Sequence, residues 1–209
     1  MNRPASGLQQ FASTQVLPER IVTRRLVLRR WRREDAPLLK RAVDANLEHL
    51  RAWMPWAMHE PSPVEVIEER LARFGSNFDD GSDWTVGIFL PDEDVVVGGA
   101  GLHRRIGAGA LEIGYWIDAH NTRRGYATEA AGELTAQGFG MPDVDHIEIR
   151  CDPRNAASSG VAKKLGFEHI ATLVNDTTTP AGDPRDTMVW ALARSAYEAR
   201  QTTTIDSFR

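Results

Sequence analysis

Between Ala110 and Cys151 the sequence changes period twice. "ALEIGYWID", Ala110 to Asp118, reads as a strand. From about residue 125 to 139 the period lengthens, and Ala127, Ala130, Ala131, Leu134 and Gly138 fall on one helical face. "VDHIEIRC", Val144 to Cys151, is a strand again. Strand, short loop, helix and strand make a crossover. A crossover favours a parallel strand pair, with the loop at the carboxyl end of the first strand. In open α/β sheets ligands bind at that end. The stretch thus sets the pairing at the centre of the sheet and marks "NTRRG", Asn121 to Gly125, as the place to look for a site.

The flanking sequence supplies the rest of a layered fold. "IVTRRLVLRRW", Ile21 to Trp31, reads as a strand. Leu38, Leu39, Ala42, Val43, Leu47 and Leu50 have helical spacing, which ends at "WMPWA", where Pro55 cannot continue a helix. A second amphipathic helix carries Val66, Ile67, Arg70, Leu71 and Phe74, with Gly75 as its expected stop. Two apolar runs around "PDED" predict a hairpin. After the crossover, "AASSGVAKKLGF" is a helix ending at Gly166, "EHIATLVND" a strand, and "DTMVWALA" the last strand, reached through a Thr/Pro/Gly-rich loop at 177 to 185. The order β, α, α, β, β, β, α, β, α, β, β predicts an α/β (α+β) domain built on a mixed sheet flanked by helices.

Bulk properties exclude several classes. The chain has 209 residues, enough for one domain with a proper core. Its formal net charge of -4 and the lack of a basic stripe interleaved with aromatics argue against nucleic acid as a partner. No run approaches the ~18 apolar residues of a membrane span. Residues 1–20 have no apolar h-region and are expected to be a flexible tail; 195–209 are expected to be a second one. Cys151 is the only cysteine, so the chain has no internal disulfide, and a cytoplasmic setting is expected. The six histidines have no metal-ligand spacing, so no metal is expected.

The loop itself has the makings of an anion site. The first turn of a helix offers unpaired N–H groups and the positive end of the macrodipole. Gly125 lets an anion approach the backbone, Arg123 and Arg124 add charge and donors, and Thr128 adds a hydroxyl. The same residues also suit a surface loop with solvated arginines. "GGAGLH", 98 to 103, lies between two strands with no helix behind it and is not a dinucleotide motif.

"EIGYWIDAHNTRRGYATEAA" followed by "IEIRCDPRNAASSGVAKKLGF" resembles the GNAT (GCN5-related) N-acetyltransferases. The opening "LVLRRWRREDAPLL", the "WMPWA" segment and "RDTMVWAL" are similar to their RimJ/RimL-like, ribosomal-protein N-acetyltransferase branch. The resemblance runs from about 21 to 194. It implies the GNAT fold: a mostly antiparallel sheet of about seven strands with a parallel, splayed central pair. It also implies acetyl-CoA as cosubstrate. The family's phosphate-binding pattern falls on Thr122, Gly125 and Ala127, with Tyr126 between the last two; Thr122 departs from the usual Gln or Arg.

Acyl transfer to an amine needs a neutral amine, although lysine-type amines titrate near ~10.4 and α-amines near ~8. It also needs a stabilised oxyanion and a proton for the leaving thiolate. Glu112, on the strand leading to the loop, is the candidate base; its other readings are a carboxylate paired with an arginine or a group that positions the amine. The resemblance implies oxyanion donors in the backbone N–H groups around Trp116 and Ile117. Asn155 and Ser158 suit a plain helix cap. By resemblance, Asn155 bonds the pantetheine arm; the tyrosine many relatives carry is here Ala162, which leaves Ser158 or a bound water as the proton donor. Trp53, Met54 and Trp56 are either core or the wall of an acceptor pocket; His103 is either a half-buried histidine or part of that pocket. Glu112 with Asp79, Asp80 and Asp83 hints at a cationic amine. The expected function is acetyl transfer to a protein N-terminal or small-molecule amine, with a non-catalytic acyl-CoA-binding module as the alternative. Exposed strand edges permit a homodimer.

Overall fold

The computed structural model describes residues 17–179 and 182–206. One eight-stranded sheet runs through it in the order β1-β2-β3-β4-β5-β6-β8-β7. The strands are β1 (Arg20–Val22), β2 (Val27–Arg30), β3 (Asp83–Phe89), β4 (Val96–His103), β5 (Ala110–Ile117), β6 (His146–Cys151), β7 (Glu168–Thr178) and β8 (Pro184–Ala193). All neighbours are antiparallel except β5 and β6, which are parallel as the crossover requires. The helices are α1 (Ala36–Asp44), α2 (Leu47–Arg51), α3 (Val64–Asp80), α4 (Tyr126–Gly140), α5 (Ala156–Leu165) and α6 (Arg194–Asp206).

Strand alternation sends apolar residues to both faces of the sheet. On one face Leu28, Val86, Ile88, Leu102, Leu111 and Ile113 meet Ala130, Ala131 and Leu134 of α4. On the other, Val27, Trp31, Phe89 and Val96 meet Leu39, Val43, Ile67 and Leu71 of α1 and α3. "GGAGLH" is strand β4, as its lack of a following helix implied. A Cβ at Gly98 would collide with the Trp116 carbonyl, and one at Gly99 would meet the Trp116 indole nitrogen at 2.7 Å. These glycines let Trp116 lie flat across β4.

Four expectations need correction. The single strand at Ile21–Trp31 is a hairpin, because the Thr23 hydroxyl and amide both bind Leu26 O and turn the chain. Gly75 does not stop α3. It is buried inside the helix, where its carbonyl accepts from Arg30, and Gly81 at φ 73° ends the helix instead. The Asn46 side chain bonds Ala42 O where the first predicted helix breaks into α1 and α2. At the C-terminus, 195–206 belong to α6 where a tail was expected; 207–209 and most of the N-terminal tail, 1–16, lie outside the described residues.

The β3–β4 turn reaches back into the fold. Arg29, 5% exposed, holds both oxygens of Asp35 at 2.7 and 2.9 Å and Glu93 Oε2 at 2.6 Å, with its guanidinium 4.0 Å over the Phe89 ring. Burial pushes the Asp35 carboxyl up, but hydrogen bonds from Arg29 and the Arg32 amide, with the positive charge of both arginines, outweigh it and leave the carboxyl below its usual range. A lowered folded-state pKa means that the pair stabilises the fold above the usual carboxylate range and loses that contribution as pH falls through the lowered value. Asp35→Ala, which strands Arg29, should cost about 3–5 kcal/mol in urea denaturation at pH 7, and the deficit should shrink in strong acid.

Candidate active site

β5 and β6 pair only over Ala110–His146, Leu111–Ile147 and Glu112–Glu148. Beyond Glu112, β5 stays paired with β4 as far as Ile117, and β6 stays paired with β8 as far as Cys151. The two strands therefore splay, and each keeps one unpaired edge facing the gap. Asp118 N donates to Val97 O at 2.9 Å across β4. The two-residue alternation of a strand then turns the Trp116 amide toward β4 as well, and the amides of Tyr115 and Ile117 toward the gap. Of the two expected oxyanion donors, the Ile117 amide faces the gap and the Trp116 amide faces β4; Trp116 is also among the residues that line the cavity. The gap opens into a cavity of about 860 Å³ lined by β5, β6, α2 and the starts of α4 and α5.

The loop before α4 forms one wall. Gly125, at φ 83°, is the N-cap of α4, and its own side offers no hydrogen bond to the first amides. Arg123, at φ 59°, also takes the left-handed region. Together they turn the backbone N–H groups of the first turn outward, where an anion can reach them. Arg123, Gly125, Tyr126, Ala127 and Thr128 line the cavity, whereas Arg124 does not; its carbonyl instead accepts from Arg25 at 2.8 Å. The Thr122 hydroxyl bonds Ala119 O at 2.9 Å, so its side chain serves the loop.

Two braces hold this loop, and neither was read from the sequence. Glu129, in the first turn of α4, accepts from the Thr23 hydroxyl at 2.7 Å, the Arg25 amide at 2.8 Å and Arg25 Nε at 2.7 Å. Burial pushes its carboxyl up, but these bonds and the charge of Arg25 leave it lowered. Buried Asn46 accepts from the Ala119 amide at 2.8 Å and so ties the α1–α2 junction to the loop. Both contacts span long sequence separations and involve turn residues without periodicity, so no local pattern announces them.

α5 forms the opposite wall. Asn155 Oδ1 accepts from the Ser158 amide at 3.0 Å, which is the plain helix cap; both residues also line the cavity. The Ser158 hydroxyl lies 3.0 Å from the Tyr115 hydroxyl across the gap. Burial raises the Tyr115 phenol to about 12, so it stays protonated. Burial likewise raises the Cys151 thiol, which lies in β6 as expected of a buried strand residue. Ala162 is fully buried in the core. Sequence alternation places Tyr115 on the gap-facing strand, and that was the available signal for it.

On the other face of the sheet, Glu112 lines the cavity with both oxygens held by Arg105, at 2.9 and 2.5 Å. Trp53, Met54 and Pro55 wall the same region, but Trp56 does not reach the cavity; it packs edge-on against Trp116 at 6.3 Å. His103 also lies outside the lining. Its ring covers Gly101 and Gly114, and Nδ1 is 2.5 Å from Asp83 Oδ2. Burial pushes the Asp83 carboxyl up, but the bonds from His103 and Thr85 and the charge of Arg105 leave it lowered. Asp79 pairs with Arg30 far from the cavity, and Asp80 bonds the Ser82 amide, so of the four acids expected to draw a cationic amine only Glu112 lines it. The described residues contain no cluster suited to a metal and no helix long and apolar enough to cross a membrane.

If Glu129 braces the loop, Glu129→Ala should weaken coenzyme A binding about tenfold by calorimetry while costing only about 1–2 kcal/mol of stability, a loss of side-chain hydrogen bonds at a partly exposed site.

The family described as "Acetyltransferase (GNAT) domain" matches residues 25–168, from β2 through α5. An N-acetyltransferase of Bacillus subtilis (strain 168) described as uncharacterized, YnaD, is 27% identical over 148 residues, covering 70% of this chain and 81% of its own. Among solved structures, the RimL ribosomal L7/L12 alpha-N-protein acetyltransferase in complex with coenzyme A has a TM-score of 0.76 at 21% identity, covering 84% of this chain and 98% of its own. The microcin C7 self-immunity acetyltransferase MccE, in complex with acetyl-CoA and AMP, has a TM-score of 0.77 at 16% identity, covering 86% and 98%. The two structural likenesses show the same fold, and the domain match over residues 25–168 carries the assignment: this chain is an acetyltransferase of the GNAT family.

Proposed function

We propose that this acetyltransferase transfers the acetyl group of acetyl-CoA to a primary amine, a protein N-terminus or a small-molecule amine, by direct attack in a ternary complex. The observation that carries this reading is the splay. One cavity is flanked by an anion-ready helix start at Gly125, by strand amides without partners, and by a carboxylate at Glu112. When bound, acetyl-CoA supplies an activated acyl carbon and a thiolate leaving group. The amides of the α4 first turn, with Arg123 and Thr128, suit its pyrophosphate. The unpaired edge of β5 and the free side-chain amide of Asn155 suit its pantetheine arm. The Ile117 and Tyr115 amides face the gap where negative charge develops on the acyl oxygen.

Glu112 takes the proton of the acceptor amine, directly or through a water. The Arg105 clamp orients that carboxylate and yields when the amine arrives; the Arg105 side chain is 57% exposed, and Glu112 is its one hydrogen-bonded partner among the described residues. Ser158 gives its hydroxyl proton to the departing sulfur. RimL is named for a ribosomal L7/L12 protein α-amine, and MccE was solved with acetyl-CoA and AMP; one fold hosts different substrates through its site residues, so the acceptor is left to the assay.

The assay follows free thiol with acetyl-CoA and a panel of amines and N-terminal peptides. Gly125→Glu places a charged side chain at φ 83° and should abolish coenzyme binding by calorimetry; unchanged affinity would remove the helix-start site. Tight coenzyme binding with no thiol release on any acceptor would favour an acyl-CoA-binding module. Glu112→Gln should lower kcat/KM by about 10²-fold or more near neutral pH and by less at high pH, where the amine is already neutral. A loss independent of pH would assign Glu112 to positioning.

A further inference from the structure

The face of the sheet that carries Glu112 also presents Arg105, Arg150 and Arg185 to the cavity. Two of these are closed ion pairs. Arg105 holds Glu112, and Arg150 Nε binds Glu148 Oε2 at 2.8 Å. Arg185 differs. It lies at the start of β8, paired in register with Thr177 of β7, and its side chain is only 12% exposed. Its nearest carboxylate oxygen, Asp152 Oδ2, is 3.9 Å away, beyond hydrogen-bond reach. Both Asp152 oxygens are already taken by Arg154, at 2.7 and 3.0 Å. Arg185 Nε is buried and has no hydrogen-bond acceptor among the described residues. Thr187, two residues along on the same face, and Thr177, beside it on β7, also line the cavity.

Buried guanidinium donors are normally satisfied, because an unsatisfied one is costly. A guanidinium with unspent donors, flanked by two threonines in a cavity wall, is the chemistry that binds a carboxylate or phosphate. Strand alternation puts Arg185 and Thr187 on the Glu112 side of the sheet, and the gap separates them from the Gly125 loop. We infer that Arg185 anchors an anionic group of the acceptor, so that the preferred amines carry a carboxylate or phosphate. The inference rests on the acetyltransferase reading and deepens it by naming the acceptor class.

The test titrates the full chain, saturated with coenzyme A, with matched acceptors. One pair is an N-terminal peptide with Asp as its second residue and the same peptide with Asn. A second is γ-aminobutyrate and its carboxamide; a third is phosphoethanolamine and ethanolamine. The charged member of at least one pair should bind about tenfold more tightly, the scale of one charge-assisted hydrogen bond, and the pair that discriminates identifies the source of the anion. Arg185→Gln should erase the difference and leave coenzyme affinity unchanged, whereas Arg185→Lys should keep part of it. Equal binding within every pair overturns the anchor. So does a preference that survives Arg185→Gln, or a loss of coenzyme affinity in that variant with Arg185→Lys still binding coenzyme normally. Thiol release on the same acceptors is read separately: Arg185-dependent binding without acetylation would sink the acetyltransferase reading and leave the anchor standing.

Discussion

The site depends on β5 and β6 letting go of each other after three residue pairs. A parallel pair that stayed closed would spend its backbone groups on itself. By parting at Glu112 and Glu148, the two strands leave a row of unpaired peptide groups inside a protein wall. Such groups are expensive to bury unsatisfied, so the gap persists only because both strands are held from outside, β5 by β4 and β6 by β8. The glycines of β4 contribute to this support. They let Trp116 lie across the strand, so that β5 stays paired with β4 to Ile117.

The two sides of the gap have opposite electrical character, and the difference has a structural cause. At the loop, backbone dipoles and Arg123 meet with no carboxylate among the lining residues, which suits the anionic end of a coenzyme. Across the sheet, charges come in pairs: Arg105 with Glu112 and Arg150 with Glu148, while Asp83 is held by His103. Pairing keeps this face close to neutral, so that a single unspent group such as Arg185 is felt by whatever docks there. The count of acids in the sequence suggested a negatively charged pocket, but counting ignores direction. Asp79 and Asp83 are near in sequence to the cavity-forming strands and are spent on Arg30 and His103.

The same distinction explains what was legible in the sequence. The crossover, the parallel pair, the hairpin at "PDED" and the strand identity of "GGAGLH" all follow from period and turn chemistry, which are local. The residues around Gly125 were legible because a helix start has a local signature. The Ile21–Trp31 hairpin was missed because Thr23 bends an otherwise strand-like run through its own hydroxyl. Gly75 was misread because an arginine 45 residues away, Arg30, makes a glycine useful inside a helix. Glu129 and Asn46 were missed for the same reason: Arg25 lies 104 residues from Glu129, and Ala119 lies 73 residues from Asn46.

The proposed acid shows how an absence in the sequence can be made good by the fold. The position that the resemblance assigns to a tyrosine in α5 holds Ala162, which is fully buried in the core. A phenol is present nonetheless, brought from the other side of the gap by Tyr115. A serine alone is a poor acid, because its alkoxide is high in energy. A serine 3.0 Å from a phenol held protonated can pass its proton on and be reprotonated along the same hydrogen bond. The link also crosses the splay, and so fixes the width of the gap at the level where the sulfur would sit. On the proposed mechanism, proton supply and the spacing of β5 from α5 both depend on one contact, so a change to either residue disturbs both.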